Sequence, residues 1–248
     1  RLAEFRGKYI LLDFWSRGCG PCIMSQPELK EISEMYKDSL EVVSLSIENR
    51  KGWEEASKSH VMTWNNWNDL EEKNGLYARY GVRGIPHFVL ILPEGKVVDS
   101  WSGYAKGWLK LKIKGSMAPK QPMRIEWKDG HKVVHHPRKK TVKMEVLTIR
   151  QVELTDSTTV LRVHARYIPN YWIRLDKATF LMSDKGVNYP LLRSEGFAID
   201  EQVFMPDSGE MDFTLYFAPL PKDTRWFDFS EGEHVEGGYY IEGIRLTE

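Results

Sequence analysis

The sequence predicts an α/β domain followed by an all-β domain. In residues 1–115, strand-like apolar runs alternate with stretches of helical periodicity, an order that gives a mixed central sheet flanked by helices. In residues 123–248, short runs of β-branched and aromatic residues are separated by turn signals, and no long amphipathic helix is visible. A segment rich in Gly, Ser, Pro and Lys separates the two patterns, so we predict a linker at residues 116–122.

Each element of the first domain has its own signal. The run YILLDFW at residues 9–15 has the length and composition of a strand, and apolar residues at helical spacing after Cys22 predict a helix. Pro93-Glu94-Gly95 is typical of a hairpin turn. The later elements are predicted as a strand at 40–47, a helix at 69–80 that ends at Gly81, strands at 87–92 and 96–101, and a helix at 106–113.

The second domain is predicted to be an all-β sandwich, immunoglobulin-like in its general architecture. Its strand signals alternate with turn sequences such as Pro206-Asp207-Ser208-Gly209. The predicted strands are residues 141–154, 158–168, 179–183, 187–192 and 210–217. None of these runs carries a motif for a known activity.

The two cysteines of the chain, Cys19 and Cys22, enclose Gly20 and Pro21. This spacing permits a disulfide, a dithiol or half of a zinc site, but zinc requires four ligands and no second C-x-x-C or C-x-x-H follows. Because the pair precedes a predicted helix, unpaired backbone N–H groups and the helix dipole favour the thiolate of Cys19. Redox chemistry is therefore the first hypothesis, with Cys22 as the more buried, resolving thiol.

Two separated motifs carry a family resemblance. The segment ILLDFWSRGCGPCIMSQP is similar to the active-site segment of the thioredoxin family, and YGVRGIP at residues 80–86 resembles the loop of that family that contains a cis-proline. The long stretch between the motifs resembles the TlpA/ResA-like branch, whose members are extracytoplasmic thiol-disulfide reductases. The resemblance covers residues 1–115, and the second domain resembles β domains attached to thioredoxin-like domains in Bacteroidetes-type envelope proteins.

The resemblance implies a role for each matching residue. Cys19 is expected to attack the substrate disulfide, and Cys22 is expected to resolve the mixed disulfide. Asp13 matches the buried acid that moves the proton of the resolving cysteine, although a water-exposed residue at a strand end is the alternative. Ile85 and Pro86 are expected to form a cis peptide whose loop pairs with an extended substrate, with an ordinary trans turn as the alternative.

The residues next to the cysteines refine this expectation. Gly18 stands where the family usually has Trp, so the sulfur of Cys19 is expected to be more open. Arg17 is the nearest fixed cation, which either lowers the pKa of the thiol, steers an acidic partner or is simply solvated. Gly20 and Pro21 between the cysteines resemble the reducing members of the family, which favours a reductase over an oxidase.

Histidine and basic residues give weaker signals. His87 follows the proline loop and is interpreted as a strand residue in preference to an acid or base. His131, His135 and His136 form a cluster, but adjacent strand residues point to opposite faces, so we predict no metal site. The basic run at residues 137–140 is interpreted as a solvated loop.

Composition limits the partners. The chain has 35 Lys and Arg against 35 Asp and Glu, so its formal net charge of zero argues against nucleic acid as the main partner. No apolar run is long enough to span a bilayer. The chain begins directly with RLAEFRGKYI, so we expect any signal peptide or membrane tether to precede it. The resemblance alone predicts a periplasmic or cell-envelope location, because two cysteines do not indicate the compartment.

The leading hypothesis is a thiol-disulfide oxidoreductase that reduces protein disulfides through Cys19 and Cys22, with the β domain aiding partner choice. Its expected partners are protein disulfides or dithiols and an upstream thiol reductant, with no cofactor beyond the redox-active disulfide. One alternative is a disulfide isomerase dimerised through the β domain. The other is a non-enzymatic module that binds a metal or a partner. Substrate, electron donor and oligomeric state are left open by the sequence.

Overall fold

A computed structural model divides the chain into two compact units, residues 1–118 and residues 119–248. The structure describes residues 2–60, 62–70, 74–142, 145–232 and 238–248. In this part of the chain, no helix is long and apolar enough to cross a membrane.

The first unit contains a mixed sheet with helices on both faces. Its strands are β1 (Tyr9–Trp15), β2 (Leu40–Ser46), β3 (Asn65–Asn68), β4 (His87–Ile91) and β5 (Val97–Ser102). Its helices are a short 3-10 helix (Leu2–Phe5), α1 (Gly20–Met35), α2 (Arg50–Ser59), α3 (Leu76–Arg79) and α4 (Trp108–Met117). The five strands lie in the order β3-β2-β1-β4-β5. Strands β1, β2 and β3 are parallel to one another, whereas β4 is antiparallel to both of its neighbours, β1 and β5.

Strand β1 is the central strand, and its alternating side chains build a core on each face of the sheet. On one face, Leu11 packs in a cluster with Leu29 and Ile32 of α1 and with Leu109 and Ile113 of α4. The other face is covered by the 3-10 helix and α3, and its cluster comprises Ile10, Leu12, Phe14, Val43, Leu45, Tyr77, Val89 and Ile91. The predicted mixed sheet flanked by helices is confirmed.

Two predicted helices differ in extent from the observed ones. Helix α4 ends at Met117, so the first two residues of the predicted linker are helical. The helix stops there because Ala118 precedes Pro119, which pushes Ala118 into extended geometry with ψ of 136°.

The helix predicted at residues 69–80 is a single turn, α3, and residues 71–73 of that prediction lie outside the described residues. Asp69 is not helical, because its carboxylate folds back to accept a hydrogen bond from the Tyr77 N–H at 2.9 Å. Gly81 follows α3 with a positive φ of 64°, as predicted for a residue that ends a helix. Helix α2 and strand β3 arise from a segment for which the sequence predicts no element.

The second unit is all-β in its described residues. Its strands are β6 (Arg124–Lys128), β7 (His131–His135), β8 (Thr141–Val142), β9 (Leu147–Leu154), β10 (Thr159–Arg166), β11 (Trp172–Ile173), β12 (Phe180–Ser183), β13 (Asn188–Glu195), β14 (Val203–Phe204), β15 (Glu210–Phe217), β16 (Trp226–Ser230) and β17 (Tyr240–Arg245). Ten of them form one sheet in the order β6-β7-β9-β10-β15-β13-β12-β16-β17-β8, and β11 pairs with β14. The strand predicted at 141–154 is divided into β8 and β9, and its residues 143 and 144 lie outside the described residues.

The ten-stranded sheet curls so that its two halves enclose one core. Strand β13 belongs to both halves, because its first residues pair with β12 and its later residues pair with β15 across a bulge between Leu191 and Arg193. Phe217 of one half and Phe229 of the other meet edge to face with ring centroids 6.2 Å apart. The all-β prediction is confirmed, and the two facing layers of the sandwich are hydrogen-bonded to each other through β13.

Candidate active site

The two cysteines form a disulfide where β1 gives way to α1. Cys19 is the N-cap residue of α1, and its sulfur accepts a hydrogen bond from the Cys22 N–H at 3.2 Å. Pro21 lies in the first turn of the helix, where its missing N–H has no helical partner to lose. Cys22 is only 1% exposed, whereas Cys19 is partly exposed. The structure therefore gives the two sulfurs the unequal access that an attacking and a resolving thiol require.

An apolar cluster holds the disulfide in place. Cys22 packs with Trp15, which is fully buried at the end of β1, and with Ala56 of α2. The partly buried residues that pack against this group are Cys19, Ile23, Trp53, Met62 and Ile85. Segments distant in sequence thus converge on the cysteines, including α2, which the sequence does not predict.

Asp13 is buried beneath α1, and the alternative of an exposed strand-end residue is wrong. It shares a face of β1 with Leu11 and Trp15, which pack against α1 residues and Cys22 respectively. Asp13 is 1% exposed, and its Oδ2 accepts a hydrogen bond from the Ser44 hydroxyl at 2.7 Å. Burial raises the pKa of Asp13 to about 7, and the Ser44 hydrogen bond opposes this effect.

The sequence interpretation missed Ser44 and Trp64. Ser44 lies directly beside Asp13 in the parallel pairing of β1 with β2, and the Trp64 indole N–H donates to its hydroxyl at 2.8 Å. A polar residue within the apolar strand β2 was the available signal for Ser44. Trp64 had no such signal, because its contact depends on how the segment before β3 folds.

The loop before β4 has the predicted proline geometry. The Ile85–Pro86 peptide bond is cis, and Pro86 is buried. Ile85 packs against the cluster that contains both cysteines. Among the described residues, neither the N–H nor the C=O of Ile85 has a hydrogen-bond partner. An extended chain therefore has free backbone groups available beside the disulfide.

The residues before and between the cysteines leave space around Cys19. A Cβ added at Gly18 or at Gly20 would meet nothing within 4 Å. Arg17 is exposed, and its guanidinium pairs with Glu48 at 3.6 Å and with Glu55 at 3.4 Å. These carboxylates partly offset the charge of Arg17, and its influence on the Cys19 thiol stays a prediction.

His87, His131 and His135 do not join this site. His87 is buried on the opposite face of the sheet, where Ser102 meets its Nδ1 at 2.8 Å and Ser100 meets its Nε2 at 3.0 Å. Burial lowers its pKa, which fits the interpretation as a strand residue. In the second unit, His131 faces Glu153 at 3.4 Å and His135 faces Glu126 at 2.8 Å. Within the described ranges, no group of three or more His, Cys, Asp or Glu side chains is arranged to hold a metal ion.

Comparisons with known proteins agree on the first unit. Residues 7–97 match a family model described as thioredoxin-like. The chain is 27% identical to the thioredoxin-like protein YneN of Bacillus subtilis over 40% of this chain and 58% of that protein. It is 29% identical to a thioredoxin of the same organism over 41% of this chain and 75% of that protein.

The chain is also similar in sequence to a domain of known structure. The thioredoxin domain of a thiol-disulfide oxidoreductase from Bacteroides vulgatus has 30% sequence identity, with a TM-score of 0.38. The match covers 42% of this chain and 76% of that domain. This chain therefore spans less than two thirds of YneN and about three quarters of the other two proteins.

Proposed function

Because this chain belongs to the thioredoxin-like family, we propose that it reduces disulfide bonds of proteins through Cys19 and Cys22. Family membership makes it a thiol-disulfide oxidoreductase, and the direction of electron flow is the part that we propose. The observation that carries the proposal is the unequal access of the two sulfurs, with Cys19 partly exposed at the N-cap of α1 and Cys22 1% exposed. In this arrangement only the sulfur of Cys19 is open to an external partner, as the attacking thiolate of the dithiol or as the attacked sulfur of the disulfide.

The first step is carried out by reduced Cys19. The N-terminus of α1 stabilises its thiolate, because the Cys22 N–H points toward the sulfur and the positive end of the helix dipole lies beside it. The thiolate attacks one sulfur of the substrate disulfide, a mixed disulfide forms, and the other substrate sulfur leaves as a thiolate that takes up a proton. The open space at Gly18 supports this step, because a protein substrate must bring its disulfide up to Cys19.

The second step releases the reduced substrate. The Cys22 thiol transfers its proton to the Asp13 carboxylate, and the Cys22 thiolate then attacks the sulfur of Cys19. The bond between Cys19 and the substrate sulfur breaks, that sulfur leaves as a thiolate and takes up a proton to complete the substrate dithiol, and the Cys19–Cys22 disulfide is restored. Two electrons pass to the substrate in each cycle, and an upstream thiol must return them.

The substrate is held by backbone contacts in this proposal. The N–H and C=O of Ile85 have no partner in the described ranges, so they are available to an extended peptide in the way that a strand is added to a sheet edge. Ile85 packs against the apolar cluster of the disulfide, and Gly18 and Gly20 present no side chain that would obstruct the peptide. Protein disulfides are accordingly the proposed substrates, and the resemblance to the TlpA/ResA-like branch supports a cell-envelope location.

A trapping experiment tests the proposal. The Cys22→Ser variant should accumulate mixed disulfides with protein substrates, whereas Cys19→Ser should trap none, and the intact pair should be cycled by dithiothreitol. If Cys22→Ser traps nothing and dithiothreitol does not reduce the intact pair, the proposal is wrong. Metal content of the reduced protein would then identify a metal-binding module.

The redox equilibrium with glutathione tests the direction. A reductase should have a potential near that of thioredoxin, about −270 mV, whereas a value near about −120 mV would make the protein an oxidase. Disulfide isomerisation would instead require a dimer, which sedimentation of the full chain detects.

A further inference from the structure

A chain of two hydrogen bonds leads to the buried acid. The indole N–H of Trp64 donates to the hydroxyl of Ser44 at 2.8 Å, and that hydroxyl donates to Oδ2 of Asp13 at 2.7 Å. Trp64 lies immediately before β3, in the segment that separates the two family motifs. Its side chain is partly buried and packs against the cluster formed by β1, β2, β4, α1 and α4.

The chemistry of the donors fixes the direction of this chain. An indole N–H can only donate, so Trp64 occupies an acceptor position of the Ser44 oxygen. A hydroxyl has a single hydrogen, and the Ser44 hydrogen is therefore committed to Asp13. As a result, Oδ2 of Asp13 is an acceptor in both protonation states of the carboxyl group.

The two oxygens of Asp13 are consequently different. Oδ1 is buried and has no hydrogen-bond partner among the described residues. A proton on Oδ2 would point at a hydroxyl that is already donating, so the proton of the neutral acid belongs on Oδ1. Asp13 lies on the face of β1 that is covered by α1, between the positions of Leu11 and Trp15.

We propose that Trp64 is a positioning residue for proton transfer, which acts through Ser44 to keep Oδ1 of Asp13 as the oxygen that receives the proton. The inference rests on the proposed function, in which Cys22 must lose a proton before it attacks Cys19. In the balanced step, the Cys22 thiol gives its proton to Oδ1, the new thiolate bonds to the Cys19 sulfur, and the bond from Cys19 to the substrate breaks. The electron pair of that bond leaves with the substrate sulfur.

Few other charged groups act on Asp13. Its neighbours on the adjacent strands are Ser44 of β2 and Phe88 of β4. The charge of Asp13 contributes to the raised pKa of Tyr77 in α3. The Tyr77 hydroxyl donates hydrogen bonds to the carbonyls of Trp15 and Leu45, both at 2.9 Å.

Ion pairs do not set the acidity of Asp13. The carboxylate of Asp69 accepts its hydrogen bond from the backbone N–H of Tyr77 and not from a group that also binds Asp13. No ion pair joins Asp13 to a Lys, Arg or His in the described part of the chain, so the hydrogen bond from Ser44 is the contact that stabilises its charged form.

The test is a double-mutant cycle on the acidity of Asp13. The carboxyl carbon of Asp13 is titrated by NMR in the oxidised full chain, where the cysteines do not titrate, for the parent, Trp64→Phe, Ser44→Ala and the double variant. Loss of the hydrogen bond to a carboxylate should move the Ser44→Ala midpoint upward by about 1 pH unit. Trp64→Phe frees the Ser44 hydroxyl to rotate, so the titration midpoint of Asp13 in this variant should move upward by about half as much. In the Ser44→Ala background, Trp64→Phe should have no further effect.

A matched control separates this effect from a loss of packing. Trp101 packs against the same cluster, with its ring centroid 5.6 Å from that of Phe88, and it makes no hydrogen bond to Ser44. Trp101→Phe should therefore leave the midpoint unchanged. The inference would be overturned if Trp64→Phe left the Asp13 midpoint unchanged. It would also be overturned if Trp64→Phe shifted the midpoint equally in the parent and in the Ser44→Ala background.

The pH profile of mixed-disulfide resolution connects the acidity to the reaction. The rate of the parent should rise with pH through about 7, and the profiles of Trp64→Phe and Ser44→Ala should move upward by the same amounts as their titrations. If the parent reduces no disulfide, the proposed function fails whatever the titration shows. If the parent is active and the profiles coincide, only the inference about Trp64 fails.

Discussion

Two buried carboxylates, Asp13 on β1 beneath α1 and Glu28 on α1 itself, differ in the hydrogen bonds that surround them. Asp13, beneath the start of the helix, has one hydrogen bond from Ser44 and leaves Oδ1 without a partner among the described residues. Glu28, on the side toward α4, accepts hydrogen bonds at both oxygens. Its partners are the Gly107 N–H at 2.9 Å, the Lys110 N–H at 2.8 Å and the Tyr104 hydroxyl at 2.9 Å.

The difference teaches what each acid contributes. Glu28 binds the unpaired N–H groups at the start of α4, so its charge is stabilised and it joins two helices. Asp13 has no comparable compensation, and its pKa of about 7 means that its charged form is disfavoured in the fold. The charged form of Asp13 therefore destabilises the fold, which is consistent with the role in proton transfer that we propose for this residue.

The largest expected effect is on stability when Asp13 is replaced by Asn. Because its pKa is raised from 3.8 to about 7, the parent loses stability as pH rises from 4 to 7, and the loss is constant above that range. Asp13→Asn should therefore raise the free energy of unfolding by up to about 4 kcal/mol at pH 8. The gain should disappear below pH 4, as urea unfolding of the oxidised protein at a series of pH values will reveal.

The next test applies the equivalent change to Glu28. Glu28→Gln places an amide group, which donates, against N–H groups that also donate, so it should lower the free energy of unfolding by about 2 kcal/mol. The two isosteric changes should thus have opposite signs at pH 8. A stabilising Glu28→Gln, or a destabilising Asp13→Asn, would remove the distinction between the two acids.

The smallest expected effect concerns one donor to Glu28. Tyr104→Phe removes the hydroxyl but leaves both backbone N–H groups bound to the carboxylate. The free energy of unfolding should fall by about 1 kcal/mol, less than for Glu28→Gln, and thermal unfolding of the two variants side by side measures this order. A loss in Tyr104→Phe as large as that in Glu28→Gln would mean that the side-chain hydroxyl, and not the helix N-terminus, holds Glu28.

The sequence predicted the parts of the fold that depend on local patterns. Strand β1, helix α1 and strand β15 are confirmed because strand-length apolar runs and helical spacing mark them directly. The cis geometry of Ile85–Pro86 is also confirmed, because the motif that contains it is specific. Within the site, the burial of Asp13 and Cys22 is as expected.

The remainder depends on contacts between distant segments. Strand β3 has the sequence NNWN, which carries no strand signal, and it forms because it pairs with β2. The carboxylate of Asp69 binds the N–H of Tyr77, eight residues later, and this contact shortens a helix that local propensity favours. The contact of Trp64 could not be predicted from the sequence for the same reason, since its partner Ser44 lies on a strand 20 residues earlier.

Strand β13 gives the second unit a property that its individual strands do not have. Because β13 is bonded to β12 through Phe180, Leu181 and Met182 and to β15 through the residues beyond the bulge, neither half of the sheet has a free edge at that point. Unfolding of one half would expose to solvent the backbone hydrogen-bonding groups of β13 that had paired with it, and also the hydrophobic core that the two halves share. The second unit should consequently melt in a single cooperative transition, with the amides of β13 exchanging with solvent only through global unfolding.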